Sequence, residues 1–569
     1  MDGRFPSRFG TGFACRGEGG FNAETAEHAE ERLGERQSLD RLCRLQATVS
    51  SLSSRRVSPE LVVFCISGFR FPGLPQGSSR KRTEPGPQFA FPVAFPTPHV
   101  YICRANLLPE AAVASIGYDE PARRLPARNF DVVVAGGGTA GVVAALAAAR
   151  LGAKTVLIEM KGYTGGVAVE GGTALHSFYN LWRAFPGVEK CQVVRGIPKE
   201  IVDRLDAVGG TSGHAEMLQG FDYDSVCTAI DVELYKLVTL RMLREAGVVL
   251  ALNTRLVGAV CRGGALEAVI AESRSGREAL YARAFVDSTG YGDLSAYAGA
   301  QFSEPNDYPV ANSIGVAGAS MEGYHDFLLA HGAVTQLAEG RRSGRDGRIV
   351  RLDADSRRLP PEFVRRADAI GLSLVTTSVH DDYLMFLKLN YQMPVSPTDR
   401  DAVADAEIEL RRRQVEAIRL LRDFVPGCEQ AFIARSSPSL CIRRARCIVC
   451  DYDLPLDDIL SARRCDDEVM VYGFHDSAPR LQVRGGGTYG LPYRTLRVGG
   501  LANLLAAGML ITSDHEAHMS TRNTVCCMGQ GQAAGAAAAL CALRGCGTRD
   551  LPYADLRAAL QSADVYLGP

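Results

Sequence analysis

The stretch Asp131 to Ala145, DVVVAGGGTAGVVAA, constrains this chain more than any other feature. A β-branched run enters a glycine turn, and small residues suited to a helix leave it. A second strand-like run, Lys154 to Ile158, ends in Glu159, eighteen residues beyond Gly141. Strand, Gly-x-Gly-x-x-Gly turn, helix, strand and terminal acid together form a dinucleotide-binding βαβ unit, whereas the glycine pattern alone is weak. Gly136 permits the tight turn, Gly138 lets backbone approach a pyrophosphate, and Gly141 lets helix and strand pack closely. Thr139 and Ala140 open the helix, whose free N–H groups and dipole favour an anion. Glu159 is placed to accept hydrogen bonds from ribose hydroxyls. Gly485 to Gly490 fits the same glycine pattern, but Pro492 follows at once and would break a helix, so this reads as a glycine-rich loop.

Composition narrows the class. The 569 residues suffice for two to four domains, with 46% hydrophobic and 22% charged residues, as in ordinary soluble proteins. Lys+Arg is 63 against Asp+Glu 64, so no overall field favours nucleic acid or an anionic membrane. The most apolar stretch, Val132 to Leu151, carries four glycines and belongs to the nucleotide unit rather than to a membrane span. Sixteen cysteines are scattered without zinc-ligand spacing, so no metal site is expected, and they read as reduced thiols. The N-terminal sequence shows no apolar signal core, and a cytoplasmic location is expected.

Residues 1–125 differ from the rest: a charged, helix-permissive stretch precedes one rich in Pro, Gly, Ser and Arg. They read as a poorly ordered extension, or as sequence upstream of the true start; a partner-binding extension is the alternative. From Phe130, strand-like runs alternate with Ala-rich helical stretches, which predicts an α/β fold on a parallel sheet. An amphipathic helix is expected over Asp401 to Asp423, after Pro397.

The βαβ unit alone fits NAD or FAD. Further glycine turns at Thr164-Gly165-Gly166, at Gly290 to Asp293, at Gly508 and at Gly529 to Gly535 indicate a long, extended cofactor. With LIEMKGYTGG, VDSTGYGD, RRARCIVCDY, YGLPYRTL, NLLAAG and ITSDHEAHMSTRNTVCCMGQGQAAGAAAAL, residues 121–548 resemble the FAD-dependent oxidoreductases of the glutathione-reductase-like fold, related to the fumarate reductase flavoproteins. The resemblance implies a Rossmann-like FAD-binding domain with an inserted substrate or cap domain, and non-covalently held FAD. Gly136, Gly138, Gly141 and Glu159 would bind the ADP half. Thr164, Gly165 and Gly166 would lie near the pyrophosphate and ribitol, with Asp293 and Gly508 at later strand turns. Gly529, Gln530 and Gln532 would begin a helix aimed at the flavin. The chain departs from the family pattern at Cys447, Cys450 and Met509, where relatives often carry Arg, Gly and Arg.

On this reading the FAD domain comprises 126–181, 226–311 and 482–548, the cap domain 182–225 and 312–481, and a tail 549–569. Arg443 and Arg446, with Arg494, are candidates for clamping an anionic small-molecule substrate; structural ion pairs are the alternative. His515 and His518 are candidate acid–base residues, as are His380 and His475, against ordinary packing roles. His176 raises covalent flavin attachment, but its surroundings do not match the attached relatives. Cys447-x-x-Cys450 lies 300 residues from where disulfide reductases of this fold carry theirs, and Cys526 and Cys527 read as packing. The expected chemistry is hydride exchange with flavin N5, followed by transfer to or from an unidentified electron carrier. The alternatives are an NAD-dependent dehydrogenase and a flavin-binding regulatory protein without turnover.

Overall fold

The computed structural model describes residues 118–172, 174–222, 224–473, 483–511 and 514–568. The expectations for residues 1–117 and for His475 lie outside them.

The glycine motif folds as its spacing dictates. β1 (Val132–Ala135) is buried at every residue, as befits a strand covered on both faces. Gly136 follows at φ 94°, where an added Cβ would stand 2.5 Å from the carbonyl oxygen of Ser288. α1 (Thr139–Arg150) is buried from Thr139 to Ala148 because its alanines and glycine add little bulk. At Gly141 a Cβ would fall 1.8 Å from the oxygen of Gly136, so only glycine lets this helix approach its strand. β2 (Thr155–Ile158) pairs in parallel with β1. α2 (Val232–Glu245) is capped by Asp231, whose carboxylate accepts from the N–H groups of Glu233 and Leu234, and leads to β3 (Val249–Ala251) beside β2. An antiparallel meander over Arg255–Arg262, Ala265–Ser273 and Gly276–Tyr281 intervenes before β4 (Ala284–Asp287) returns to the free side of β1.

The chain then builds the cap. β5 (Val310–Ala317), β6 (Val334–Arg342), β7 (Arg345–Ala354) and β8 (Tyr383–Tyr391) precede α3 (Arg400–Phe424) and β9 (Phe432–Ser436). Leu372–Ser373, β8, β5 and β9 form an antiparallel sheet. α3 packs on it through Leu410, Gln414, Ala417 and Leu421, spaced at the helical period. A second sheet runs Thr376–Thr377, β7, β6, Ala215–Gln219, Val226–Thr228 and Leu175–His176. The outer two of these strands lie in segments read from sequence as cofactor-binding, yet Val226–Thr228 pairs antiparallel with both Ala215–Gln219 and Leu175–His176 and so joins them to this sheet. His176 and Arg351 thereby share one sheet.

β10 (Leu504–Ala506) completes the parallel sheet in the order β10-β4-β1-β2-β3. α4 (Thr524–Arg544) crosses α1 at Gly531 and Gly535, where a Cβ would stand 2.1 Å from the oxygens of Ala140 and Ala144 respectively. Among the described residues α4 alone is long and apolar enough to cross a membrane, but 94% of that stretch is buried inside the protein as its central helix. The tail contributes a helix, Tyr553–Ser562, anchored by buried Leu556 and Leu560.

Candidate active site

Two helix N-termini face one cavity of about 430 Å³: Thr139 and Ala140 of α1, and Thr524 and Cys527 of α4, contribute to its walls. No side chain caps α1 and its first turn holds no acid, which leaves its N–H groups for an anion. Gly138 and Gly166 form the floor; a Cβ at Gly138 would meet nothing nearer than 4.0 Å, so the turn leaves an open groove. Glu159 stands at the end of β2, its carboxylate accepting from the N–H groups of Gly137 (2.7 Å) and Lys161 (2.8 Å). Burial raises its pKa against the pull of those two bonds. This donor set fits the elongated, doubly anionic FAD.

The remaining predicted cofactor residues divide. Asp293 and Gly508 line this cavity. Gly136 and Gly141 are not among its lining residues; both pack closely against Ser288, which is. Thr164 is buried against Thr239, with 2.8 Å between the hydroxyls, and Gly165 makes room for Val169 and Tyr235. The expected helix start at Gly529 is corrected. α4 begins five residues earlier, where Asn523 caps it by accepting from Val525 N–H, so Thr524 rather than Gly529 faces the cavity. Gly529 packs on Met470; Gln530 accepts from Gly508 N–H (2.8 Å) and donates to Thr521 (2.7 Å). Gln532 turns to the opposite side and accepts from Ile197 N–H.

An inner cavity of about 350 Å³ adjoins the first, and both are lined by Val167, Cys441, Ile442, Met509, Arg522 and Thr524. Arg351, Lys388, Arg443 and Arg522 reach the inner cavity, together with His176 and one carboxylate, Asp353. Arg443 donates to Pro309 O (2.6 Å) and Asn390 Oδ1 (2.8 Å), neither of them charged. Arg522 donates to Met519 Sδ, and its Nε is buried without a hydrogen-bond partner. The Lys388 ammonium makes no hydrogen bond or ion pair among the described residues, although its backbone lies within β8. Burial, then Arg443, brings Lys388 down to about 7; burial and Arg522 bring Arg443 down to about 10.

Of the other reactive-centre candidates, Arg446 is neutralised by Asp293 (2.9 Å) and Glu304 (3.2 Å), stacks over Phe302 and reaches only the outer cavity. Arg494 pairs with Asp467 and lines neither cavity. His515 is exposed, stacked on Tyr308 and paired with Asp307. His518 is buried, and its Nε2–H donates to Arg443 O at 2.9 Å, so it braces the arginine's backbone from outside the cavity. Burial holds its pKa well below the usual imidazole value. His380 pairs with Asp231. Cys447 and Cys450 are separate, buried thiols. Sequence reasoning missed Arg351, Lys388 and Arg522 and considered His176 only for flavin attachment. The available signal was Lys388, a lone charge in the otherwise apolar YLMFLKLNY.

Among solved structures similar to this chain is a geranylgeranyl bacteriochlorophyll reductase-like protein from Thermoplasma acidophilum, with 12% identity, TM-score 0.38, and 77% of this chain and 83% of that one covered. Another is p-nitrophenol 4-monooxygenase from Pseudomonas putida DLL-E4, with 13% identity, TM-score 0.36, and 78% and 90% covered. Residues 131–560, more than half of the chain, match the family model described as FAD dependent oxidoreductase. That match decides between NAD and FAD in favour of FAD, and the chain belongs to the FAD-dependent oxidoreductase family.

Proposed function

We propose that the enzyme exchanges a hydride between FAD in the outer cavity and a small anionic organic substrate in the inner one. The supporting observation is the set Lys388, Arg443 and Arg522, which converges on one cavity with no carboxylate partner among the described residues. Cations withdrawn from water are costly unless paired. A substrate carboxylate supplies the missing charge, and each guanidinium can grip it bidentately. Bound FAD supplies the two-electron chemistry. The protein's own residues then hold the substrate: Asn390 and His518 fix Arg443, while Tyr308 lies under the Arg522 guanidinium.

The test is carboxylate binding to the oxidised holoenzyme, read from the flavin spectrum. Arg443→Met is expected to keep FAD, and the FAD-loaded forms of Arg443→Met and Arg522→Met should each bind carboxylates on the order of tenfold to a hundredfold more weakly. Wild-type affinity in both variants would remove the anion site.

A further inference from the structure

We propose that the substrate is a 2-hydroxy acid, or the 2-keto acid formed from it, and that His176 exchanges the hydroxyl proton at Nε2 while Asp224 positions its ring. This rests on the reading of the inner cavity as an anion site.

His176 Nδ1 lies 2.8 Å from Asp224 Oδ2, and both residues are buried. Asp224 is held by the N–H groups of Ser177 and Val226, each at 3.3 Å. On the other side of the ring, Nε2 lies 3.5 Å from Arg351 Nη1. A carboxylate only accepts and a guanidinium only donates. Both neighbours therefore select the same neutral tautomer, with the proton on Nδ1 and the lone pair on Nε2. Burial, then Arg351, and more weakly Lys388, hold the imidazole pKa below its usual value against the pull of Asp224, so the ring is a base at neutral pH.

Two features choose the substrate class. Gln336 Oε1 accepts from Arg351 Nε (3.0 Å) and Nη2 (2.7 Å), which fixes the guanidinium with Nη1 beside His176. Bound substrate would replace this long 3.5 Å contact, its hydroxyl taking the Nε2 lone pair and its carboxylate the Nη1 proton. A carboxylate and a hydroxyl on adjacent carbons hold their oxygens about one hydrogen-bond length apart by covalent geometry alone, whereas a more distant hydroxyl must fold back to meet both. The second feature is charge. The lining holds Arg351, Lys388, Arg443 and Arg522 against Asp353, so an ammonium would add a further cation, whereas a hydroxyl adds none.

In the oxidising direction the substrate O–H bond breaks and its proton goes to Nε2. The C2–H bond breaks with its electron pair, which leaves as hydride for oxidised FAD, and the C–O bond becomes C=O. The substrate loses two electrons and FAD gains them. In the reverse direction the same nitrogen returns the proton.

The holoenzyme is tested anaerobically with lactate, malate and 2-hydroxyglutarate, with the matched amino acids, and with propionate, succinate and glutarate. At least one hydroxy acid is expected to bleach the flavin, and the amino acids are not. His176→Gln should bind that hydroxy acid within about threefold of wild type but bleach on the order of a hundredfold or more slowly. Asp224→Asn should slow bleaching less and displace its pH profile. An independent readout needs no variant and no turnover. The affinity of the keto acid anion relative to the anion of its unsubstituted carboxylate should rise as pH falls through the lowered titration of His176, because imidazolium donates to the keto oxygen; the ratio cancels Lys388. A flat ratio, bleaching by amino acids instead, bleaching by no hydroxy acid, or wild-type bleaching in His176→Gln overturns the proposal while carboxylate binding survives. Failure of every carboxylate to bind would instead overturn the anion reading beneath it.

Discussion

At the proposed anion site Lys388 should make carboxylate binding depend on pH with a definite sign and window. It sits on β8 among Arg351, Arg443 and Arg522, and burial with these neighbours brings it from the ordinary 10.5 to about 7. A carboxylate pairs with the ammonium and not with the amine, so above that pKa binding must take up a proton. The apparent Kd then grows by the factor 1 + 10^(pH − pKa): about twofold at pH 7, about elevenfold at pH 8 and about a hundredfold at pH 9, or about 2.7 kcal/mol. The window belongs to Lys388 alone. His176 titrates below it, Arg443 is lowered only to about 10, and burial raises the Cys441 thiol. Stability of the empty protein carries the opposite sign. Between about 7 and 10.5 the unfolded chain holds a proton that the folded one lacks, so raising pH stabilises the empty state while weakening the complex. The assay is titration of oxidised holoenzyme with malonate from pH 6 to pH 9 at constant ionic strength, read from the flavin spectrum. Lys388→Met should give a flat profile, and Lys388→Arg a flat and tight one. A flat wild-type profile, or a slope retained in Lys388→Met, would refute the reasoning.

Three substitutions separate the cofactor groove, the helix crossing and the substrate cavity. Gly138→Val has room within the protein but fills the open groove, so it should abolish FAD binding with little change in the melting temperature of the apoprotein. Gly531→Val should do the reverse: its Cβ collides with Ala140 O, forcing α1 and α4 apart at about 1–3 kcal/mol or more, seen as a lowered melting temperature. Arg446→Met strands Asp293 and Glu304 beside the outer cavity, so FAD retention should fall while the relative affinities of carboxylates stay as in wild type. Selective loss of carboxylate binding in that variant would return Arg446 to the substrate site.

The nucleotide unit was legible because each of its signals is local and redundant. Three valines, a turn with Gly136 at positive φ, and Glu159 at the end of the next strand agree within thirty residues. Gly485 to Gly490, read as a glycine-rich loop, instead folds as a helical turn, Arg484–Gly487, followed by the strand Tyr489–Pro492. The helix expected over Asp401 to Asp423 is observed as Arg400–Phe424, set by the Asp399 cap. The Gly529 region was misread because a glycine looks the same whether its missing side chain makes room for a ligand or for another helix. Ala140 and Ala144, which decide the matter for Gly531 and Gly535, lie almost 400 residues away.

The inner cavity escaped sequence reasoning because what defines it is absent pairing, which no local pattern encodes. Arg443 and Arg446 are three residues apart and chemically identical, and either could have been the clamp. The fold separates them by bringing Asp293 and Glu304 to Arg446 while giving Arg443 a carbonyl and an amide. Lys388 and Arg522 come from elsewhere in the chain, and in sequence each alone would pass as an ordinary surface cation. The whole protein carries a formal net charge of −1, so its charges balance globally. Among the described residues that line this cavity they do not, and the proposed carboxylate substrate would restore the balance with the least disturbance to the surrounding charges.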